Sequence, residues 1–268
     1  MYLKYSARYI FSSFCHGYYS GICDFCQMRT LVIGDLHSGL KALKQVLERA
    51  KVSPSDHLIF LGDYVDGWSD AVNTVNFLME LRLTHKCSFI RGNHDELCND
   101  WLKSGDHNPV WLQHGGAATQ NSYRLVGDEI REAHIQFYDN LDNYILDSEN
   151  RLFIHAGFTN LRGVDHEYFT KTFYWDRTLW ELALSLDPSL TKEDEIYPKR
   201  LTHYKEIFIG HTPVTRIGRT TPKNAANIWN VDTGAAFRGP LTIMDVGSKQ
   251  YWQSDPVYLF YPSETGRN

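Results

Sequence analysis

From Met28 onward, short apolar runs alternate with segments whose apolar residues recur every three or four positions, the rhythm of stacked β-α-β units. Thr30 to Ile33 predicts a strand, Leu40 to Ala50 a helix with Leu40, Leu43, Val46 and Leu47 on one face, and His57 to Leu61 a second strand. Asp70 to Leu83 repeats the helical spacing through Val72, Val75, Leu78 and Leu81, and Cys87 to Arg91 predicts a third strand. Both connections are long enough to return the chain for parallel pairing. Residues 99 to 143 carry Trp101, Trp111, the run His114-Gly115-Gly116 and two helical patterns without a strand, which predicts a helical cap. Strands are then predicted at Asn143 to Ser148 and Arg151 to His155, joined by a tight turn through Glu149 and Asn150 and opening a second sheet. Trp180 to Leu186 is helical, and Glu206 to Ile209, Asn227 to Val231, Leu241 to Val246 and Gln250 to Gln253 are short strands. Neither an internal repeat nor a low-complexity linker interrupts the pattern, so residues 28 to 268 read as one domain that includes the cap.

Composition narrows the class. With 43% hydrophobic, 14% aromatic and 22% charged residues, the 268-residue chain has enough apolar area for a packed core. A net charge of -5 argues against a sequence-independent grip on nucleic acid or on an anionic membrane. No run approaches the roughly 20 apolar residues of a membrane-spanning helix. Residues 1 to 27 are different: rich in Tyr and Phe, they show neither alternation nor a helical stripe, and they lack the order of regions of a secretory signal. The expectation is a leader of doubtful structure with Met28 as the true start. Cys15, His16, Cys23 and Cys26 fall in it without the paired spacing of a structural zinc site. Cys87 and Cys98 read as small core residues, and five cysteines without a secretion signal point to a reducing, cytoplasmic setting.

The candidate chemistry stands at strand ends. Gly34-Asp35-Leu36-His37, Gly62-Asp63-Tyr64-Val65-Asp66, Gly92-Asn93-His94-Asp95, His155-Ala156-Gly157 and Gly210-His211-Thr212 each follow an apolar run. Functional loops of layered α/β proteins gather at the carboxyl ends of strands, so these five segments should converge on one crevice. Their Asp, Asn and His donors suit Mn, Fe or Zn better than an all-oxygen calcium cage. The adjacent glycines let the backbone turn sharply and approach a metal or phosphate closely. His57, His85, His107, His134, His166 and His203 lie outside these segments and read as surface or satisfied interior residues. Trp101 and Trp111 either wall a substrate cleft or pack the cap.

These segments, as GDLHS, GDYVDGW, GNHDE, HAG and GHTP, resemble the calcineurin-like metallophosphoesterases, in the phosphoprotein phosphatase branch of bacterial and phage type. The stretch Val231-Asp232-Thr233-Gly234 is similar to the VDTG segment of bacterial members. The resemblance, from Met28 to about Val246, implies an α/β sandwich: two mixed sheets flanked by helices in α-β-β-α layers, with a small helical cap. It implies two divalent ions, manganese first, with iron or zinc as alternatives. Asp35, His37 and Asp63 would hold one ion and Asp63, Asn93, His155 and His211 the other, so that a shared water attacks phosphorus in line. His94 would protonate the leaving alkoxide, oriented by Asp66.

Two positions depart from the motifs. Ser38 stands where a glycine is expected, with Gly39 next to take over the turn, and Gly67 stands where the motif has a phosphate-gripping arginine. Arg177, in Tyr174-Trp175-Asp176-Arg177, resembles a second phosphate-binding arginine of bacterial members; otherwise it is a solvated arginine at a helix start. Arg91 is expected in a structural ion pair. The implied activity is that of a Ser/Thr protein phosphatase acting on a phosphorylated protein, with phosphotyrosine as a further substrate. The alternatives are a hydrolase of a small phosphoester such as diadenosine tetraphosphate and, last, a binding module that kept the fold without catalysis.

Overall fold

The structure, a computed structural model, describes Met28–Arg267. The readings of residues 1 to 27 lie outside the described residues. The first sheet begins with β1 (Thr30–Ile33), β2 (His57–Phe60) and β3 (Lys86–Phe89), paired in parallel and linked by α1 (Leu40–Arg49) and α2 (Ala71–Leu81). Next come α3 (Asn93–Ser104), α4 (Pro109–Trp111), α5 (Ala117–Ser122) and α6 (Asp128–Asp139), so the helical stretch expected from residue 99 already begins at Asn93, directly after the third strand's loop. β4 (Tyr144–Leu146) and β5 (Arg151–Ile154) form the expected hairpin that opens the second sheet. After α7 (Thr172–Trp175) and α8 (Thr178–Ser185), that sheet is completed by β6 (Glu206–Ile209), β7 (Lys223–Ala225) and β8 (Ile228–Asn230) in the order β4-β5-β6-β8-β7.

β9 (Pro240–Asp245) and β10 (Tyr251–Pro256) then return to the first sheet, where β9 lies antiparallel to β1 and gives the order β10-β9-β1-β2-β3. The fold is thus two mixed five-stranded sheets with helices outside, as the motifs implied.

The strands are short apolar runs because both of their faces are buried. Leu31 and Ile33 point to the helices of the first sheet, and Val32 between them points to the second sheet. Phe60 and Ile59 divide in the same way, as do Ile154 and Phe153, and Ile207 and Phe208. Phe153 and Phe208 stack between the sheets with ring centroids 5.0 Å apart. On the outer face of the first sheet, α1 buries Leu40, Ala42, Leu43 and Val46. Cys98 is buried and Cys87 half-buried, both as free thiols, and burial pushes the Cys87 thiol up to about 11.

Candidate active site

All five loops open at the same end of the two sheets. Asp35, His37, Asp63, Asp66, Asn93, His94, His155 and His211 are buried side by side. The nearest oxygen of Asp63 lies 3.4 Å from His37 Nε2 and 3.5 Å from His155 Nε2. Ligand atoms of Asp35, His37 and Asp63 fall within 4.8 Å of one another, and so do those of Asp63, His155 and His211. Asp63 is common to both groups. Asn93 Oδ1 lies 3.0 Å from His211 Nδ1 and 3.3 Å from His155 Nε2, which joins it to the second group.

The loops aim these atoms by fixing the far side of each ring. His37 Nδ1 donates to the carbonyls of Asp66 and Val65 at 3.0 and 3.2 Å, and His155 Nδ1 donates to the Leu61 carbonyl at 2.8 Å. The lone pairs on both Nε2 atoms therefore face the carboxylates. His37, Asp63, Asp66 and His211 have φ of 47°, 53°, 71° and 65°, a left-handed region costly for residues with a Cβ. Hydrogen bonds compensate. The buried Asp95 carboxylate accepts from the amides of Asp63, Tyr64 and Gly92 at 2.7 to 2.8 Å, stitching two loops together. Sequence reading passed over Asp95, although its place three residues after Gly92, at the start of a helix, is a recognisable capping signal.

Ser38 corrects one expectation. The serine itself adopts φ of 64°, whereas Gly39 sits at -78° and opens α1, so the turn is not handed to the glycine. Arg91 corrects another: it donates to the Leu141 carbonyl at 3.4 Å and stands in no ion pair among the described residues.

His94 is held separately. Its Nδ1 lies 2.6 Å from Asp66 Oδ2. Asp66 in turn accepts from Trp111 Nε1 at 2.5 Å and Thr119 Oγ1 at 2.6 Å. Trp111 therefore packs the cap, against Trp101 at 5.6 Å, and also reaches the site. Asp63, Asn93, His94 and His211 floor a cleft of about 550 Å³ whose walls include Trp111, His114, Trp175 and Phe237. Arg177, half-buried at the start of α8, donates to Thr212 Oγ1 at 3.2 Å and lines the same cleft. Arg216 and Arg267 also line it, and neither stood out in the sequence.

The electrostatics fit a cation. Burial pushes Asp35 well above the usual carboxylate range, helped by the charges of Asp232 and Asp63. Burial also lifts Asp232 to about 7. For Asp63 burial acts upward too, but His155, His94, His37 and His211 outweigh it and hold the carboxyl well below its ordinary value. Burial holds His37, His155 and His211 below the ordinary imidazole value. His211 Nε2 is a buried ring nitrogen with no partner among the described residues. Crowded carboxylates beside buried imidazoles are the arrangement that divalent ions satisfy.

This fold and this cluster define a metal-dependent hydrolase of phosphate esters. A family model for the calcineurin-like phosphoesterases matches residues 28–239, and the chain belongs to that family, whose members depend on a pair of metal ions. It is 26% identical over 218 residues to serine/threonine-protein phosphatase 1 of Salmonella typhimurium, covering 79% of this chain and 89% of that protein. It is also 28% identical over 238 residues to an asymmetrical bis(5'-nucleosyl)-tetraphosphatase, PrpE, of Bacillus anthracis, covering 81% and 90%. Among solved structures it shares its fold with a protein serine/threonine phosphatase of Saccharomyces cerevisiae, at a TM-score of 0.57 and 14% identity, over 85% of this chain and 80% of that one. No helix of the described residues is long and apolar enough to cross a membrane.

Proposed function

We propose that the protein is a two-metal phosphomonoesterase that removes phosphate from serine or threonine side chains of proteins. Asp35, His37 and Asp63 hold one divalent ion, Asp63, Asn93, His155 and His211 hold the other, and manganese is the first candidate. When bound, the two ions supply Lewis acidity, polarising phosphoryl oxygens and making water nucleophilic near neutral pH. His94 gives its proton to the leaving alkoxide, and Asp66 keeps the ring in the tautomer that can do so. Arg177 holds a phosphoryl oxygen at the cleft wall. The observation that carries the reading is the sharing of Asp63 by two buried ligand groups, with the His94–Asp66 pair alongside. The exposed Val110 on the cleft wall suits a polypeptide lying across it. The free thiols of Cys87 and Cys98 accord with work in a reducing, cytoplasmic compartment.

Trp175 favours a second reading. The residue is 42% exposed and its ring lies 6.5 Å from that of His211, which offers a stacking surface to the base of a dinucleoside tetraphosphate. The deciding experiment is initial-rate hydrolysis of a phosphothreonine peptide beside diadenosine tetraphosphate, with and without Mn2+. His94→Asn, expected to lower kcat by roughly 10²- to 10⁴-fold, is the control. Metal-dependent release from the peptide supports the first reading, preference for the dinucleotide replaces it with the second, and silence on both rejects the pair.

A further inference from the structure

Position 67 lacks the arginine that the motif carries, and the structure shows what stands there instead. Gly67 has φ of 114°, where a side chain would be strained, and its amide donates to the Gly115 carbonyl at 3.3 Å. A Cβ built on Gly67 would lie 3.3 Å from Cγ of Arg267 and 3.4 Å from the carbonyl of His37. The space that a side chain at 67 would enter is taken by an arginine 200 positions further along the chain.

The loop around Gly67 also docks the segment that carries Arg267. Trp68 stacks on Tyr261 with centroids 5.3 Å apart, and a Cβ on Gly266 would come within 2.8 Å of the Trp68 ring. The amide and hydroxyl of Ser69 donate to the Glu264 carboxylate at 2.9 and 2.7 Å, and Tyr261 Oη donates to Asp70 Oδ2 at 2.7 Å. The Arg267 amide donates to the Ala236 carbonyl at 2.9 Å. Gly67, Trp68, Ser69 and Asp70 thus each contact residues 261 to 267, which turns the loop without an arginine into the seat for another.

The guanidinium itself reaches the floor. Arg267 Nη1 lies 3.4 Å from His37 Nε2, and Cζ sits 5.5 Å from the centre of the Phe237 ring. Arg267 Nε is buried and has no acceptor among the described residues. A buried donor without a partner, in a cationic group lining the cleft with Arg177, is a place for an anionic oxygen.

We propose that Arg267 is a phosphate-binding residue, brought by the closing segment of the chain into the place that Gly67 leaves open, where it holds the phosphoryl group together with Arg177. The proposal rests on the reading of the floor as a two-metal phosphoesterase site. The test compares wild type, Arg267→Ala and Arg267→Lys by calorimetric titration of the Mn2+-loaded proteins with inorganic phosphate, with metal content and melting temperature alongside. Steady-state hydrolysis of p-nitrophenyl phosphate is measured in parallel. Arg267→Ala is expected to keep its metal and its melting temperature, to bind phosphate roughly 10- to 100-fold more weakly and to lose kcat/KM by a similar factor. Arg267→Lys, which keeps the charge but not the fork, should recover only part of this loss. Phosphate affinity and kcat/KM within twofold of wild type in Arg267→Ala would overturn the proposal. So would loss of the metal in that variant, which would make Arg267 a support of the floor. A wild-type protein that takes up no Mn2+ and hydrolyses no phosphoester defeats the underlying reading of the site, a result distinct from either of these.

Discussion

The floor of the cleft and its rim are built from different kinds of chain segment. Floor residues stand within a few positions of a strand end, are almost wholly shielded from solvent and are locked from behind by backbone carbonyls and carboxylates. Rim residues come from scattered places: Trp111 from α4, Arg177 from the start of α8, Arg216 from the loop after β6 and Arg267 from beyond β10. A buried group that binds a cation must be held rigidly, because each misplaced polar atom there costs a full desolvation penalty. A half-exposed arginine reaching for a substrate oxygen can come from any loop long enough. One family can therefore keep one floor while its members recognise different phosphoesters over different rims.

The largest expected effect lies on the floor. Asp63→Asn should remove the shared anionic ligand, so metal content measured by elemental analysis should fall and kcat/KM should drop by about 10³-fold or more. Retention of full metal and turnover would show that the floor is not built around Asp63.

An intermediate effect is expected in the wall behind the rim, where buried His134 accepts from Tyr123 Oη at 2.6 Å and donates from Nε2 to Asn76 Oδ1 at 2.8 Å. Burial holds its pKa at about 4, below the ordinary imidazole value of about 6.5. The folded state thus binds this proton less readily than the unfolded chain. Its contribution is complete above pH 6.5 and is lost as pH falls through 4, about 3 kcal/mol in all. Urea unfolding at pH 7 and pH 4.5 should show a smaller acid loss in His134→Gln than in wild type. Equal losses would mean that the ring is not held neutral.

The smallest effect belongs to the rim proper. Arg177→Ala should raise KM roughly tenfold, leave kcat within a factor of a few and leave the metal in place. An unchanged KM would make Arg177 a solvated helix-start residue, and a collapse of metal content would erase the distinction between floor and rim.

Much of this was legible in the sequence, for a local reason. A strand with two buried faces must be apolar along its length, so Leu31-Val32-Ile33 and Leu152-Phe153-Ile154 declare themselves, and whatever polar residues follow them lie at a sheet end. That argument finds Asp35, Asp63, Asn93, His155 and His211 without knowledge of their partners. It does not find which sheet a later strand joins. β9 lies beside β1 and not beside β8, because Leu241 and Ile243 complete the core over α1 while Met244 faces the second sheet. Nor does it choose between roles for Trp111, which turned out to fill the cap and bind Asp66 at once. The left-handed backbone at Ser38 was equally hidden, since the neighbouring glycine offered an easier turn.

The sequence by itself determined the strands other than β7, the helical stretch between them and which polar residues follow the strand ends. These depend on periodicity and on neighbours a few residues apart, which burial and backbone geometry constrain locally. Only the tertiary structure decided that an arginine near the end of the chain would fill the gap at Gly67. That contact joins residues 200 positions apart and depends on Trp68, Ser69 and Asp70 seating the returning segment. A pairing so distant leaves no periodic trace, because its free energy comes from the packing of the whole chain.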